Sequence, residues 1–240
     1  MVFEWFIDNI GGAIIGFIVS GILGWVCYNW KFLKIKINTM IHRNENYRIS
    51  YAYLFRIKIR NKYLLIKGNR IDQYQPIGGV YKYFDSFSNI KNKMQIIDEK
   101  DESFYESNDL RIFLKGKNVI KLLKWIETSR NRECNYLREF YEELIEPGYL
   151  EFEILKDLKF EFIKRVNSGV HYSPHFKCKE ILIFDVIEVS DIDSKIEKSL
   201  KVVIEENNKL VLVSADDIDR ECFMKNNLST KIGAHCKLLK

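Results

Sequence analysis

The sequence predicts an α/β domain carried behind one N-terminal transmembrane helix, and three observations predict it. Residues 9–30 are an uncharged run of 22 between Asp8 and Lys31. From Ile49 onward, bulky apolar residues alternate at a period of two, the pattern of a strand. From Asn118, and again from Arg132, apolar residues return at helical spacing.

The uncharged run comes first in the chain. At a helical rise of about 1.5 Å per residue it reaches about 33 Å, enough to cross a hydrocarbon core. Glu4 and Asp8 stand where a signal peptide carries basic residues, so the run reads as a retained anchor. Gly12, Gly16, Ser20 and Gly24 recur every fourth residue. Such a face lets helix backbones approach closely in lipid and points to self-association of the anchor. Lys31, Lys34 and Lys36 follow the run, and no basic residue precedes it. The positive-inside rule then puts the N-terminus outside and the C-terminal domain in the cytoplasm, as a single-pass protein. The expected division is 1–38 for the anchor with its basic juxtamembrane segment, and 39–240 for one cytosolic domain.

Composition narrows the class of that domain. The five cysteines form no C-x-x-C pair, which fits reduced thiols better than a disulfide framework or a zinc site. No Ser-His-Asp or Cys-His arrangement points to a nucleophile. Residues 31–70 carry eleven Lys or Arg against Glu45 alone, although the whole chain is only +5. A basic block just after a membrane run suits anionic headgroups or a phosphate ligand.

Along the domain, the alternation predicts a strand over 49–59. Arg60 and Asn61 turn it into a second strand over 63–67. The Gly78-Gly79 pair after Pro76 predicts a bulge, or a place where another backbone or a ligand comes close. Residues 85–109 give no clear period. A short strand is expected over 110–114, then helices over 118–127 and 132–144, the second ended by Pro147-Gly148. Strands follow near 150–155, 159–166, 180–189, 201–205 and 210–213. Ser214 and Asp217 suggest a capping box, though a loose one with Asp in place of Glu or Gln. The tail from Ser229 reads as a helix. His171 and His175 have a helical metal-ligand spacing, but Gly169 and Pro174 make 168–176 a loop.

The sharpest local motif is Arg138-Glu139-Phe140-Tyr141-Glu142-Glu143. Its carboxylates at i, i+3 and i+4 share one helix face. Oxygen clusters of this kind suit a hard cation such as Mg²⁺, and like charges are costly without one. Together with the hairpin and Gly79, this helix resembles the Nudix fold, an α/β/α sandwich. Gly79 stands at the box glycine, and Arg138, Glu139, Phe140, Glu142 and Glu143 match the helical half of the box. The segment between Gly79 and Arg138 is far longer than the family pattern, so an insertion splits the box. The first box glutamate is missing: Asp85 or Arg130 stands there, depending on the direction of counting. Ile145 replaces the usual glycine.

A membrane helix joined to such a split domain is similar to the SMODS- or CD-NTase-associated Nudix domain of transmembrane effectors in CBASS antiphage defence. That resemblance implies that the domain senses a cyclic oligonucleotide made by a cognate CD-NTase. It also implies that homo-oligomerisation of the anchor then disrupts the bilayer. DNA is not an expected partner. No cofactor is required, with Mg²⁺ on Glu139, Glu142 and Glu143 as the option. Arg56, Arg60, Lys62 and Arg70 are the candidate phosphate partners, and Tyr74, Tyr81 and Tyr83 the candidate stacking platforms. The alternative is a membrane-anchored Nudix hydrolase that cleaves a nucleoside diphosphate derivative with Mg²⁺. The eroded box favours binding over catalysis.

Overall fold

The computed structural model describes residues 29–69, 71–99, 108–206, 208–225 and 228–240. The anchor positions Gly12, Gly16, Ser20 and Gly24, and also Arg70, lie outside the described residues. Among the described residues no helix is long and apolar enough to cross a membrane.

The chain enters on helix α1 (Trp30–Ile41) and then forms the long central strand β1 (Asn46–Ile59). Strand β2 (Lys62–Lys67) returns antiparallel through the Arg60-Asn61 turn, where both residues have positive φ. Short β3 (Tyr74–Pro76) pairs with β2. The segment unassigned from sequence contains helix α2 (Ser88–Met94) and the two-residue strand β4 (Ile97–Asp98). Strand β5 (Arg111–Lys115) then pairs antiparallel with the start of β1, and helix α3 (Gly116–Glu127) packs against α1.

The box helix begins later than its period suggests. Helix α4 covers Leu137–Phe140 and widens into a π turn over Tyr141–Ile145. Two local contacts hold back its start. Arg132 is extended and bridges Tyr83, and the Asn135 side chain accepts the Leu137 amide at 2.9 Å. Residues 150–155 are not a strand. They carry a 3-10 helix, Phe152–Lys156, and Leu150 and Ile154 both turn to the core.

Strand β6 (Lys159–Asn167) and short β7 (His171–Ser173) both pair with β8 (Cys178–Ser190), so part of the expected loop is a hairpin strand. Strand β8 runs parallel to β1 over eleven residue pairs, Tyr47–Ile57 against Lys179–Val189. The predicted strand at 201–205 is instead the end of helix α5 (Ser194–Glu206). Its β-branched run read as β, but Ile196, Leu200, Val203 and Ile204 make one helical stripe against the core. Asp193 caps that helix, accepting the Lys195 and Ile196 amides.

Strand β9 (Leu210–Val213) pairs with β2. Helix α6 (Ala215–Arg220) carries the full Ser214–Asp217 capping box. The tail is no single helix. Strands β10 (Cys222–Lys225) and β11 (Leu228–Lys231) form a hairpin, and a 3-10 helix covers Ala234–Leu239.

Alternation along β1 separates two layers. Tyr51, Tyr53 and Phe55 face α4, whose Phe140 meets Phe55 edge-on at 5.3 Å. Arg48, Ala52 and Arg56 face the other way. On that side Phe184 of β8 packs against His235 of the C-terminal turn. The result is a mixed α/β sandwich.

Candidate functional site

The site is built where the Gly78-Gly79 segment docks on β1. The Tyr53 amide donates to the Gly79 carbonyl at 2.8 Å, and the Phe55 amide to the Ile77 carbonyl at 2.8 Å. Gly78 is required by backbone contact, and Gly79 leaves room for the Glu139 carboxylate. A Cβ on Gly78 would overlap the Tyr53 carbonyl, and one on Gly79 would overlap the Glu139 carboxylate. The sequence-predicted close approach is therefore real. Its partners are the β1 backbone and the box helix.

Arg138 organises the other wall. Its guanidinium donates to Glu133 at 2.9 and 2.8 Å, to Glu139 at 2.6 Å, to Glu142 at 2.6 Å and to the Val80 carbonyl at 3.1 Å. One cation thus ties together the two halves of the split box. Glu133 was not singled out from the sequence. It supplies a carboxylate to Arg138 although neither Asp85 nor Arg130 does. Its only signal was a Glu five positions before the Arg.

Burial pushes the Glu139 carboxyl up to about 7, with Arg138 pulling it back and Glu142 and Glu143 adding to the rise. Burial, then the charge of Glu142, pushes Glu143 up to about 7 as well. Burial opposes the charge on Arg138, yet Glu133, Glu139 and Glu142 hold that group above its usual range.

A cleft of about 390 Å³ opens over this arrangement. Gly78, Gly79, Arg138, Glu139, Glu142 and Glu143 line it, with Asn69, Gln75, Asp109 and Arg111 on its other side. The structure therefore does bring the three predicted glutamates to one cleft. It does not gather them into a ligand set. Among the described residues no group of three or more His, Cys, Asp or Glu is placed to hold a metal ion. Mg²⁺ asks for near-octahedral oxygens at about 2.0–2.1 Å, whereas Glu139 and Glu142 are clasped by Arg138.

The predicted phosphate and stacking residues are dispersed. Arg56 pairs with Glu188 across β1 and β8, and Arg60 pairs with Glu197 of α5 at 2.7 Å. Lys62 is exposed at the start of β2. Arg60 and Lys62 sit at the far end of β1, and Arg56 is on the opposite face of β1 from Phe55; none of the three lines the cleft. Tyr74, Tyr81 and Tyr83 are each buried, with the hydroxyl hydrogen-bonded. Tyr74 donates to the Asn208 carbonyl at 2.5 Å, Tyr83 to Asp98 at 2.9 Å, and Tyr81 to Asp185. Tyr81 stacks on Tyr51 and Tyr53, with centroids 4.0 and 3.6 Å apart. These rings have protein partners, and Tyr74 also lines a cleft with Lys67, Asp72 and Lys225. His171 Nε2–H donates to the Glu180 carboxylate at 3.0 Å, and His175 packs edge-on to Phe176, so the two have different partners.

Comparison with known proteins agrees with this architecture. A family model described as the SMODS-associated NUDIX domain matches residues 46–240. No curated protein and no solved structure matches. The match begins at the first residue of β1, covers both halves of the split box and runs to the end of the chain. The chain belongs to the SMODS-associated NUDIX domain family, a group of CBASS-associated effector domains.

Proposed function

We propose that this protein is a membrane effector whose Nudix-like domain senses a cyclic oligonucleotide, made by a cognate CD-NTase, without consuming it. One observation carries the reading: the box seat of Gly79 and Glu139 is retained, but Arg138 occupies the centre of the carboxylate cluster. A cleft held together in this way keeps the Gly79–Glu139 seat while Arg138 engages Glu139 and Glu142. Asn69 and Gln75 bring amides to the cleft, the groups that contact base edges, and Arg111 lines it beside Asp109.

Residues 9–30 then act as the anchor in the bacterial inner membrane, with the domain in the cytoplasm. Ligand-driven clustering raises the local concentration of anchors, and Gly12, Gly16, Ser20 and Gly24 let them pack into a homo-oligomer that disrupts the bilayer. The test is calorimetric titration of the full chain with cyclic di- and trinucleotides, followed by analysis of the recovered ligand. Binding with the ligand intact supports the reading.

The second reading is a membrane-anchored hydrolase of nucleoside diphosphate derivatives. Glu139 and Glu143 favour it, since carboxyls near 7 suit a general base. Turnover of such substrates with Mg²⁺ in the same assay would replace the first reading by the second.

A further inference from the structure

We infer that the outward face of α1, together with the exposed lysines of α3, is a membrane-interface surface that seats the folded domain on anionic lipid headgroups. The inference rests on reading residues 9–30 as a membrane anchor and adds a second, folded contact to it.

Helix α1 is amphipathic in the wrong sense for a soluble domain. Its inward side is narrow: Ile35 and Thr39 are the buried residues. Its outward side carries Trp30, Leu33, Ile37, Met40 and Ile41 at the spacing of one helical face. Trp30 and Ile37 are each 48% exposed, Met40 66% and Ile41 70%. Scattered apolar residues on a surface need no explanation, but a contiguous stripe does. Lys34 and Lys36 flank the stripe on its two sides, and the Lys34 ammonium lies 5.1 Å from the centre of the Trp30 ring. An apolar ridge between lysines, with a Trp at its start, is the chemistry of an interfacial helix.

Tertiary structure enlarges this face. The Lys117 amide donates to the Arg43 carbonyl at 2.9 Å, so the start of α3 is joined to the end of α1. Lys117, Lys121 and Lys124 are exposed on α3 at intervals of four and three, a single outer stripe. One groove of about 380 Å³ runs between the helices, with Lys36, Arg43, Lys117 and Lys121 around Met40 and Ile120. A second, of about 520 Å³, lies on the other side of α1 with Lys31 and Lys34 beside Ile37, Ile41 and Val170. The carboxylates at the margins are already paired: Glu45 with His42 and Lys179, and Glu127 with Arg165.

Lipid is the occupant that fits. The uncharged run ends at Trp30, the first residue of α1, so the face begins where that run stops. A second copy docked here would set lysine rows against each other, which is repulsive. Headgroup phosphates would satisfy those lysines while the apolar ridge enters the acyl boundary. The contact is also coupled to the sheet, because the Tyr47 hydroxyl of β1 donates to the Asn38 side chain of α1 at 2.7 Å.

The test uses the full chain in nanodiscs of phosphatidylcholine with a minority of phosphatidylglycerol. A photoreactive benzoylphenylalanine replaces Met40, Lys121 or, as a remote control beyond the far end of β1, Lys62. Lipid adducts from positions 40 and 121 but not 62 are expected. Replacing Lys117 and Lys124 together by Glu should cut the adducts at 121 roughly tenfold. Alkaline carbonate extraction of the same discs reads the anchor separately. A chain that resists extraction but gives no lipid adduct at 40 or 121 overturns the surface and leaves the anchor standing. Adducts to a second protein chain at those positions also overturn it, in favour of a self-interface. A chain that is extracted and gives no adducts sinks both readings.

Discussion

Two charge clusters on this domain are opposites. In the cleft, one arginine, Arg138, is surrounded by Glu133, Glu139 and Glu142, with Glu143 beside them. Within the sheet layer, one aspartate, Asp185, is surrounded by donors: Tyr51, Tyr81 and two nitrogens of Arg165. Arg132 and Arg165 lie over the Tyr51 ring, each 5.1 Å from its centre. The first cluster has a surplus of acid and opens to solvent. The second has a surplus of base and is closed, with the Asp185 side chain only 3% exposed. Burial and the Asp185 charge hold Tyr51 and Tyr81 well above the usual phenol range. The hydrogen bond and charge of Asp185 likewise keep Arg165 ionised against the pull of burial. A closed cluster with every donor met is a lock. An open one with unmatched acid can still respond to a ligand or to pH.

Breaking the lock should have the largest effect. Asp185→Ala leaves two buried phenols without their carboxylate acceptor and Arg165 with Glu127 as its remaining carboxylate partner, and should cost about 3–5 kcal/mol in urea unfolding followed by fluorescence. A loss below about 1 kcal/mol would show that water replaces the carboxylate and that the cluster is not closed.

Next comes the seat of the cleft. Gly79→Ala pushes the Glu139 carboxylate out of place and should cost about 1–3 kcal/mol. It should also abolish cyclic-oligonucleotide binding in titration calorimetry. Retained binding would put the ligand outside the cleft.

A third test separates the two clusters by pH. Glu139 and Glu143 have folded values of about 7 against 4.5 for an unperturbed carboxyl. Between these values the folded state keeps protons that the unfolded chain has released. Their contribution to stability therefore falls as pH rises from about 4.5 through 7, and recovers in acid. Glu143→Gln should remove its share, stabilising the protein at pH 8 by roughly 1 kcal/mol after allowance for partial exposure, with no gain at pH 4.5. Equal stability of the variant and the parent at pH 8 would mean that Glu143 is solvated.

The smallest effect is expected at Arg60. Its ion pair with Glu197 is exposed, so Arg60→Glu should shift stability by less than about 0.5 kcal/mol. It should also leave nucleotide affinity unchanged, because Arg60 stands at the far end of β1 from the cleft. A marked loss of affinity would return the ligand to the basic hairpin.

Sequence by itself determined whatever is decided between near neighbours. The period-two run of β1, the turn at Arg60-Asn61, the strands β2 and β9, helix α3 and the Ser214–Asp217 cap were all legible, because each rests on contacts a few residues apart. The pairing of Gly79 with the Arg138–Glu143 helix was legible only through a family pattern, since nothing local links residues so far apart. The rest needed the folded chain. The segment 201–205 has a strand's composition but a helix's neighbours, and the stripe that buries Ile196 and Leu200 prevailed. The tyrosines had the chemistry of stacking platforms, and only the sheet showed that other side chains already stack on them. Glu133 joined Arg138, and Lys117, Lys121 and Lys124 joined α1, through chain crossings that leave no period to read. Propensity and pattern act over one or two turns, whereas charge partners and exposed faces are set by which distant elements the core brings together.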